Sequence, residues 1–446
     1  MIMLSTSLRD TWQNLPDNAP ESIVDLHFVV PNFLEAIGFQ KGEFYPQYPT
    51  GDGTVDYAIR RNTTEDIFIN TASNPYLLIE LKGRDINLAE GTAGYLSTVK
   101  QLKRYLLSSN CRSTEWGIIT NSIHIQLFRK HGKVIHPATH CLEITAENID
   151  RITSEIRHLV SQPKRALTIA VYNNKGGVGK TTTTVNLASA LKLAGQKDVL
   201  VIDLDPNQQD LTNSLGVNLN QGEFLKFLTE KNVDINSCIQ SYSINYRNRS
   251  LSCFDVIPAD KQLIDLGEDK LRHQLKLDSL EQKLEVVKSK YDYILIDSPP
   301  NWRAFSQIAV IAADVVLIPT KHNNIFSLEN AALAIKQFIP EAQKVRSNGC
   351  PIPLPIFFNG EKINEYQKTV AYQAIDNLLK KAKAEGHNLL PYFYPKVSNA
   401  NRNREIFEVP SYANIANAAF SRIPAAYRDK TARAYYIELA KEYFLQ

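Results

Sequence analysis

The sequence predicts two α/β domains in one chain, the second built on a doubly wound, mostly parallel sheet. Three observations carry that expectation. The chain has 446 residues, 43% of them hydrophobic and 22% charged, which suits two or three domains of roughly 100–200 residues each. A polar break, Ser161-Gln-Pro-Lys-Arg165, interrupts the apolar periodicity. Beyond it, apolar runs of the kind that buried parallel strands use alternate with helical stretches. The domains are accordingly expected at 1–162 and 163–446.

Before the break, Glu21–Ile37 is a helix candidate and Tyr76–Lys82 a strand candidate. A helical segment bearing Gln101 and Tyr105 follows, then Trp116–Asn121 and a strand over Ile123–Phe128. In Asn148–Val160, the residues Ile149, Ile152, Ile156 and Val160 fall on one helical face. After the break, Ala166–Val171, Val199–Asp203, Tyr293–Asp297, Val315–Pro319 and Pro355–Phe358 read as strands, and Leu277–Val287 as a helix. The span Asn218–Leu263 is less regular and is expected to form an insertion or lid.

Composition excludes several classes. With 18 Phe and 20 Tyr among its apolar residues, the chain is not largely disordered. Its 50 Lys+Arg against 47 Asp+Glu, net +3, argue against a uniformly basic coat while permitting local basic patches. The five cysteines, Cys111, Cys141, Cys238, Cys253 and Cys350, are scattered and form no CxxC pair, so neither a disulfide framework nor a zinc site is expected. The N-terminus lacks the pattern of a leader, and the longest apolar run, near Ile308–Pro319, is broken by Asp314, well short of the ~20 residues that span a bilayer. The protein is therefore read as soluble, unprocessed and cytoplasmic.

The strongest chemical signal follows the first strand of the second domain. Lys175-Gly-Gly-Val-Gly-Lys-Thr-Thr182 stands between Leu167–Val171 and the helical stretch Thr183–Ala194. Gly176, Gly177, Val178 and Gly179 would bring backbone N–H groups close to phosphate oxygens, and Lys180 would reach the terminal phosphates. Thr181 would offer its hydroxyl to Mg²⁺, with Thr182 beside it. Two further strands end in carboxylates, Val201-Ile-Asp-Leu-Asp-Pro206 and Ile294-Leu-Ile-Asp-Ser-Pro-Pro300, at the sheet edge where ligands bind. Asp297 and Asp203 are counted as metal-side groups, and Asp205 as the group that orients or activates the attacking water.

Together these three segments resemble the deviant Walker A, A′ and B motifs of the ParA/MinD family of ATPases, over roughly residues 166–446. The resemblance implies that ATP drives homodimerisation and that hydrolysis undoes it. It further implies that Lys175 reaches the partner copy's phosphates, that Asn359 contacts adenine, and that a partner protein stimulates the ATPase. ParA members bind DNA non-specifically as ATP dimers, whereas MinD members attach to membrane through a C-terminal amphipathic helix. Across Lys396–Arg433, seven basic residues stand against three acidic ones. Ala432–Gln446, with Tyr435, Tyr436, Leu439 and acidic Glu438 and Glu442, reads as a docked helix and not a membrane anchor. DNA is thus favoured over membrane. Tyr394-Pro-Lys396 resembles the family strand that precedes a basic turn, so Lys396, Arg402 and Arg404 are the candidate DNA contacts. The family's usual DPQGN is replaced here by Asp205-Pro-Asn-Gln-Gln209.

In the first domain, Asp56 on one strand and Glu80-Leu-Lys82 on the next can set two carboxylates around a divalent cation with a lysine beside it, a suitable arrangement for phosphodiester hydrolysis. With Gln101 and Tyr105 on the following helix, the order resembles the PD-(D/E)xK nuclease superfamily, specifically the N-terminal domain of type I restriction enzyme R subunits. It covers roughly residues 15–135. The resemblance implies a restriction-endonuclease-like fold, with Asp56 and Glu80 as ligands of a second Mg²⁺ or Mn²⁺, Lys82 as the catalytic lysine and Glu21 as a further metal contact. A nuclease fold retained only for binding is the alternative.

The functional expectation is an ATP-switched, nucleoid-associated DNA-binding protein with a nuclease-type domain at its front. It would serve DNA partition or a nucleotide-regulated defence nuclease. The reading from a different class is a positioning ATPase that acts through a protein partner.

Overall fold

A computed structural model describes residues 7–246, 249–266, 268–395 and 405–446. Lys396, Arg402 and Arg404 lie outside the described residues. The chain divides into two compact units, with the division after Pro163.

The first unit is a sheet of β1 (Phe44–Pro49), β2 (Thr54–Ile59), β3 (Leu77–Leu81), β4 (Trp116–Thr120), β5 (His124–His131) and β6 (Val134–Pro137) in that order, with β7 (Leu142–Glu143) paired to β5. Only β3 and β4 run parallel, joined through the helix Ala93–Leu106. Alternation along β3 separates two cores. Leu77, Ile79 and Leu81 pack with Phe28, Ile152 and Ile156 of the helices on one face, while Leu78 packs with Leu102 and Leu106 on the other. Helix Ile149–Ser161 buries Ile149, Ile152, Ile156 and Val160, the expected stripe. The helical run from Glu21 to Ala36 is π-helical over Asp25–Phe33 and contains Pro31, which can neither donate a backbone hydrogen bond nor fit a regular turn.

In the second unit the parallel strands are β8 (Leu167–Val171), β9 (Val199–Asp203), β11 (Arg249–Ile257), β12 (Tyr293–Asp297), β13 (Val315–Leu317) and β15 (Ile352–Pro353). With β10 (Gln240–Tyr246), antiparallel at the edge, they lie in the order β10-β11-β9-β12-β8-β13-β15. A second parallel set joins β14 (Pro319–Thr320), β16 (Phe357–Asn359) and β17 (Glu408–Val409). The helix Lys180–Gly195 buries every residue from Thr183 to Leu191, and its buried Thr184, Asn186 and Ser189 side chains donate to backbone carbonyls one turn back.

Three expectations change. The span Asn218–Leu263 is not a lid: β11 pairs with β9 through Asp255–Ile257, extending the main sheet, because Cys253, Phe254, Val256 and Ile257 are apolar enough to be buried there. The helix near 277–287 is short, Ser279–Leu284. The run Val315–Pro319 is split after Leu317 into β13 and β14, which pair with different strands. The terminal helix Lys430–Tyr443 is capped by Asp429 and buries Tyr436, Leu439, Ala440 and Tyr443. Among the described residues, no helix is long and apolar enough to cross a membrane.

Candidate functional site

Register builds the second unit's site. Asp297 lies opposite Asp203 on β9 and opposite Val171 on β8, so both carboxylates and the start of the glycine-rich loop emerge at one sheet edge. The loop turns through Gly177 (φ +74°) and Gly179 (φ +86°), a left-handed region where a Cβ is costly. No side chain caps the helix that starts at Lys180, leaving its first N–H groups and partial positive charge for an anion.

The surrounding side chains form one network. Lys175 is partly exposed, and its N–H is held by Asn173 Oδ1 at 3.0 Å. Lys180 is buried, with Nζ on the Lys175 carbonyl at 3.2 Å. Burial pushes its ammonium pKa down, against the opposing pull of Asp297, Asp205 and Asp210. Thr181 Oγ1 donates to Asp297 Oδ2 at 2.6 Å, and Thr184 Oγ1 lies 3.5 Å from Oδ1. Burial, with Asp203 nearby, raises the Asp297 pKa well above the carboxylate range. Asp205 is fixed by the Gln208 N–H on its Oδ1 at 3.2 Å, and burial raises its pKa while Lys180 lowers it. The Asn359 amide donates to the carbonyl of Val178 at 3.0 Å. Beside Thr181 and Thr182, a cavity of about 460 Å³ is lined also by Asn186, Asp210, Ile415 and Phe420.

Thr212 was not singled out by sequence. Its hydroxyl donates to Asp203 Oδ2 at 2.6 Å and its N–H at 2.9 Å, and the same hydroxyl accepts from the Ala259 N–H at 2.9 Å. Asp203 is 1% exposed and burial raises its pKa to about 6. Thr212 thus links Asp203, at the end of β9, to Ala259 just beyond β11. No local pattern signals Thr212, because its partners lie nine and 47 positions away. As a donor set, a threonine hydroxyl, strand-end carboxylates, a buried lysine and an uncapped helix start suit a nucleotide phosphate with a hard divalent cation.

The first unit holds a second cluster. Tyr57 on β2 faces Ile79 on β3, so Asp56 and Glu80 occupy the next antiparallel position on a shared face. Asp56 Oδ2 accepts from the Leu81 N–H at 2.7 Å, and Oδ1 from Gln47 at 3.1 Å. Lys82 Nζ lies 2.7 Å from Glu80 Oε1 and 3.6 Å from Glu21 Oε2. Glu80 is 2% exposed, and its Oε2 is buried with no hydrogen-bond partner. Burial, then Asp56, pushes the Glu80 pKa up to about 7. Asp25 joins this group by accepting from the Tyr57 hydroxyl at 2.6 Å; its place one helical turn beyond Glu21 was the available signal. Gln101 donates to the Tyr105 hydroxyl at 3.1 Å. A bare buried carboxylate oxygen among acidic neighbours suits a divalent cation.

A family model described as an AAA domain matches residues 166–349. The chain is 31% identical over 247 residues to the chromosome-partitioning ATPase Soj of Treponema pallidum, covering 55% of this chain and 87% of that protein. It is 34% identical over 160 residues to the sporulation initiation inhibitor protein Soj of Bacillus subtilis, covering 34% of this chain. An uncharacterised Pseudomonas putida protein is 36% identical over 154 residues, again 34% of this chain. The chain spans only 57% and 56% of the length of these last two relatives. An ATP complex of McdA from Cyanothece is similar in structure, with a TM-score of 0.48 and 21% identity over 63% of this chain and 96% of that one.

Proposed function

Because the chain belongs to the ParA/Soj family of P-loop ATPases, we propose that its second domain hydrolyses ATP and uses the nucleotide state to switch dimerisation and non-specific DNA binding, in partition or positioning. The observation that carries this reading is the alignment of Val171, Asp203 and Asp297 at one edge, with Lys180 among the carboxylates. ATP with Mg²⁺ supplies the transferable phosphoryl group and its charge neutralisation. Thr181 and Asp297 hold the metal side, Lys180 and the loop N–H groups hold the phosphates, and Asp205 orients water. Asp203, expected on the metal side, instead anchors the segment carrying Asp205, because its Oδ1 accepts from the Asp205 N–H and its Oδ2 from Thr212. Lys175, partly exposed at the loop's start, is the group free to serve a second copy. Lys396, Arg402 and Arg404 are the proposed backbone contacts to DNA, a protein partner stimulates turnover, and the cytoplasmic nucleoid is the proposed location.

The test is retention of random-sequence duplex with and without ATP. ATP should strengthen binding, the affinity should fall steeply with salt, and Lys396→Ala or Arg402→Ala should weaken it evenly across sequences. Equal binding in both nucleotide states overturns the switch.

The bare Glu80 oxygen beside Asp56 and Lys82 favours a second activity, a metal-dependent nuclease in the first domain. Asp56 and Glu80 would hold Mg²⁺ or Mn²⁺ with Glu21 alongside, and Lys82 would sit at the reacting phosphate. Supercoiled plasmid incubated with either metal, with and without ATP, should be nicked or linearised by the native chain and left intact by Lys82→Ala. Intact plasmid in every condition, retained only with ATP, leaves a partition-type ATPase with a nucleic-acid-binding front domain.

A further inference from the structure

Two asparagines from opposite directions hold the glycine-rich loop. Asn173 meets its beginning: Oδ1 accepts from the Lys175 N–H at 3.0 Å, while Nδ2 donates to the carbonyls of Pro319 at 2.9 Å and Ser327 at 3.1 Å. Asn359, the last residue of β16, meets its end: Nδ2 donates to the Val178 carbonyl at 3.0 Å and lies 3.4 Å from that of Gly179. Carbonyls only accept, so the amide nitrogen and not the oxygen faces them. Any Cβ at position 179 would collide with this amide, which makes glycine a requirement of space as well as of φ. Asn359 is itself held. It lies opposite Val409 on the middle strand of β14-β16-β17, and Gly360 packs so closely on the Val409–Ser411 backbone that a side chain there has no room.

Peptide planarity gives these contacts a consequence. In a trans peptide the carbonyl and the following N–H point in opposite directions. The Val178 carbonyl turned toward Asn359 therefore turns the Gly179 N–H away from it, while the Gly179 carbonyl also accepts the first helical bond, from the Thr183 N–H at 2.9 Å. We infer that Asn359 is a positioning residue that presets the phosphate-binding loop through the Val178–Gly179 peptide. This rests on the nucleotide-site reading above.

The experiment titrates Mg²⁺ with ATP, GTP or inorganic tripolyphosphate into the full chain, Asn359→Ala, Asn359→Asp and Lys180→Ala. A loop brace predicts that Asn359→Ala weakens all three ligands by the same factor, about fivefold, the equivalent of one hydrogen bond. Asn359→Asp keeps the shape but replaces the donor with an acceptor facing two carbonyls, and should weaken all three further. It supplies the answer should the alanine variant fail to fold. A loss confined to ATP overturns the inference, since a base contact cannot affect tripolyphosphate, and so does unaltered binding of all three. Should the unaltered chain bind none of them, or Lys180→Ala bind as well as the unaltered chain, the nucleotide-site reading fails and the inference falls with it.

Discussion

The two carboxylate clusters are built in opposite senses. In the second unit the acids are already engaged: Thr212 closes over Asp203, Thr181 bonds Asp297, and the Gln208 N–H bonds Asp205. The positive groups, Lys180 and an uncapped helix start, are what stand ready, so the site is prepared for an anion that brings its own cation. In the first unit Glu21, Asp56 and Glu80 surround one lysine, Asp25 holds the neighbouring Tyr57 hydroxyl, and a buried oxygen of Glu80 has no partner. That site is prepared for a cation. In both clusters burial is the first cause of the raised carboxylate pKa values, a neighbouring carboxylate adds to it at Asp297 and at Glu80, and the Thr212 and Thr181 hydroxyls pull Asp203 and Asp297 back down. A perturbed pKa therefore marks a site without saying which ligand it takes.

The comparison can be broken most severely at Asp205. If the second unit's acids are fixed for chemistry, Asp205→Ala should lower ATP turnover by roughly 10²–10⁴-fold, the range of a lost general base, with ATP affinity little changed. Steady-state hydrolysis beside nucleotide titration checks this, and an unchanged rate removes the assigned role. A smaller effect is expected at Glu80. Its folded pKa, about 7, lies above the ordinary 4.5, so the folded chain holds this proton more tightly. That contribution is complete below pH 4.5 and is lost as pH rises through 7. Without divalent cations, Glu80→Gln should therefore stabilise the first unit by about 1–3 kcal/mol at pH 8 and by nothing near pH 4. Denaturant titration at both pH values decides it, and equal effects would show that Glu80 is not charge-strained. The smallest effect is at Thr212. Thr212→Val keeps the shape but removes the hydroxyl from a buried carboxylate, costing the second unit about 1–2 kcal/mol, visible as a lower thermal midpoint. No loss would mean that the Asp203 clasp is not structural.

Much of the second unit was legible because its signals are local. A strand, a glycine-rich turn and a helix succeed one another within 30 residues, and five-residue apolar runs mark the central strands. The place of Asn218–Leu263 was not legible. β11 is assigned to the sheet by pairing with β9, more than 50 positions earlier in the chain, and its exposed first half hides the apolar end. In the first unit the strand Tyr76–Lys82 was legible but its two faces were not, because β3 is buried at every position: it sends Leu77, Ile79 and Leu81 to one core and Leu78 to the other, with Glu80 on the Leu78 face.

By itself, the sequence determined the chemistry carried at each strand end and the backbone freedom of the loop, since both depend on residue type and short spacing. Only the tertiary structure decided which of those groups are already satisfied. Asp203 finds Thr212, Asn359 finds the loop carbonyls, and one oxygen of Glu80 finds nothing. The reason is physical: a hydrogen bond depends on ångström-scale distance and direction, and those are set by how the strands and helices pack.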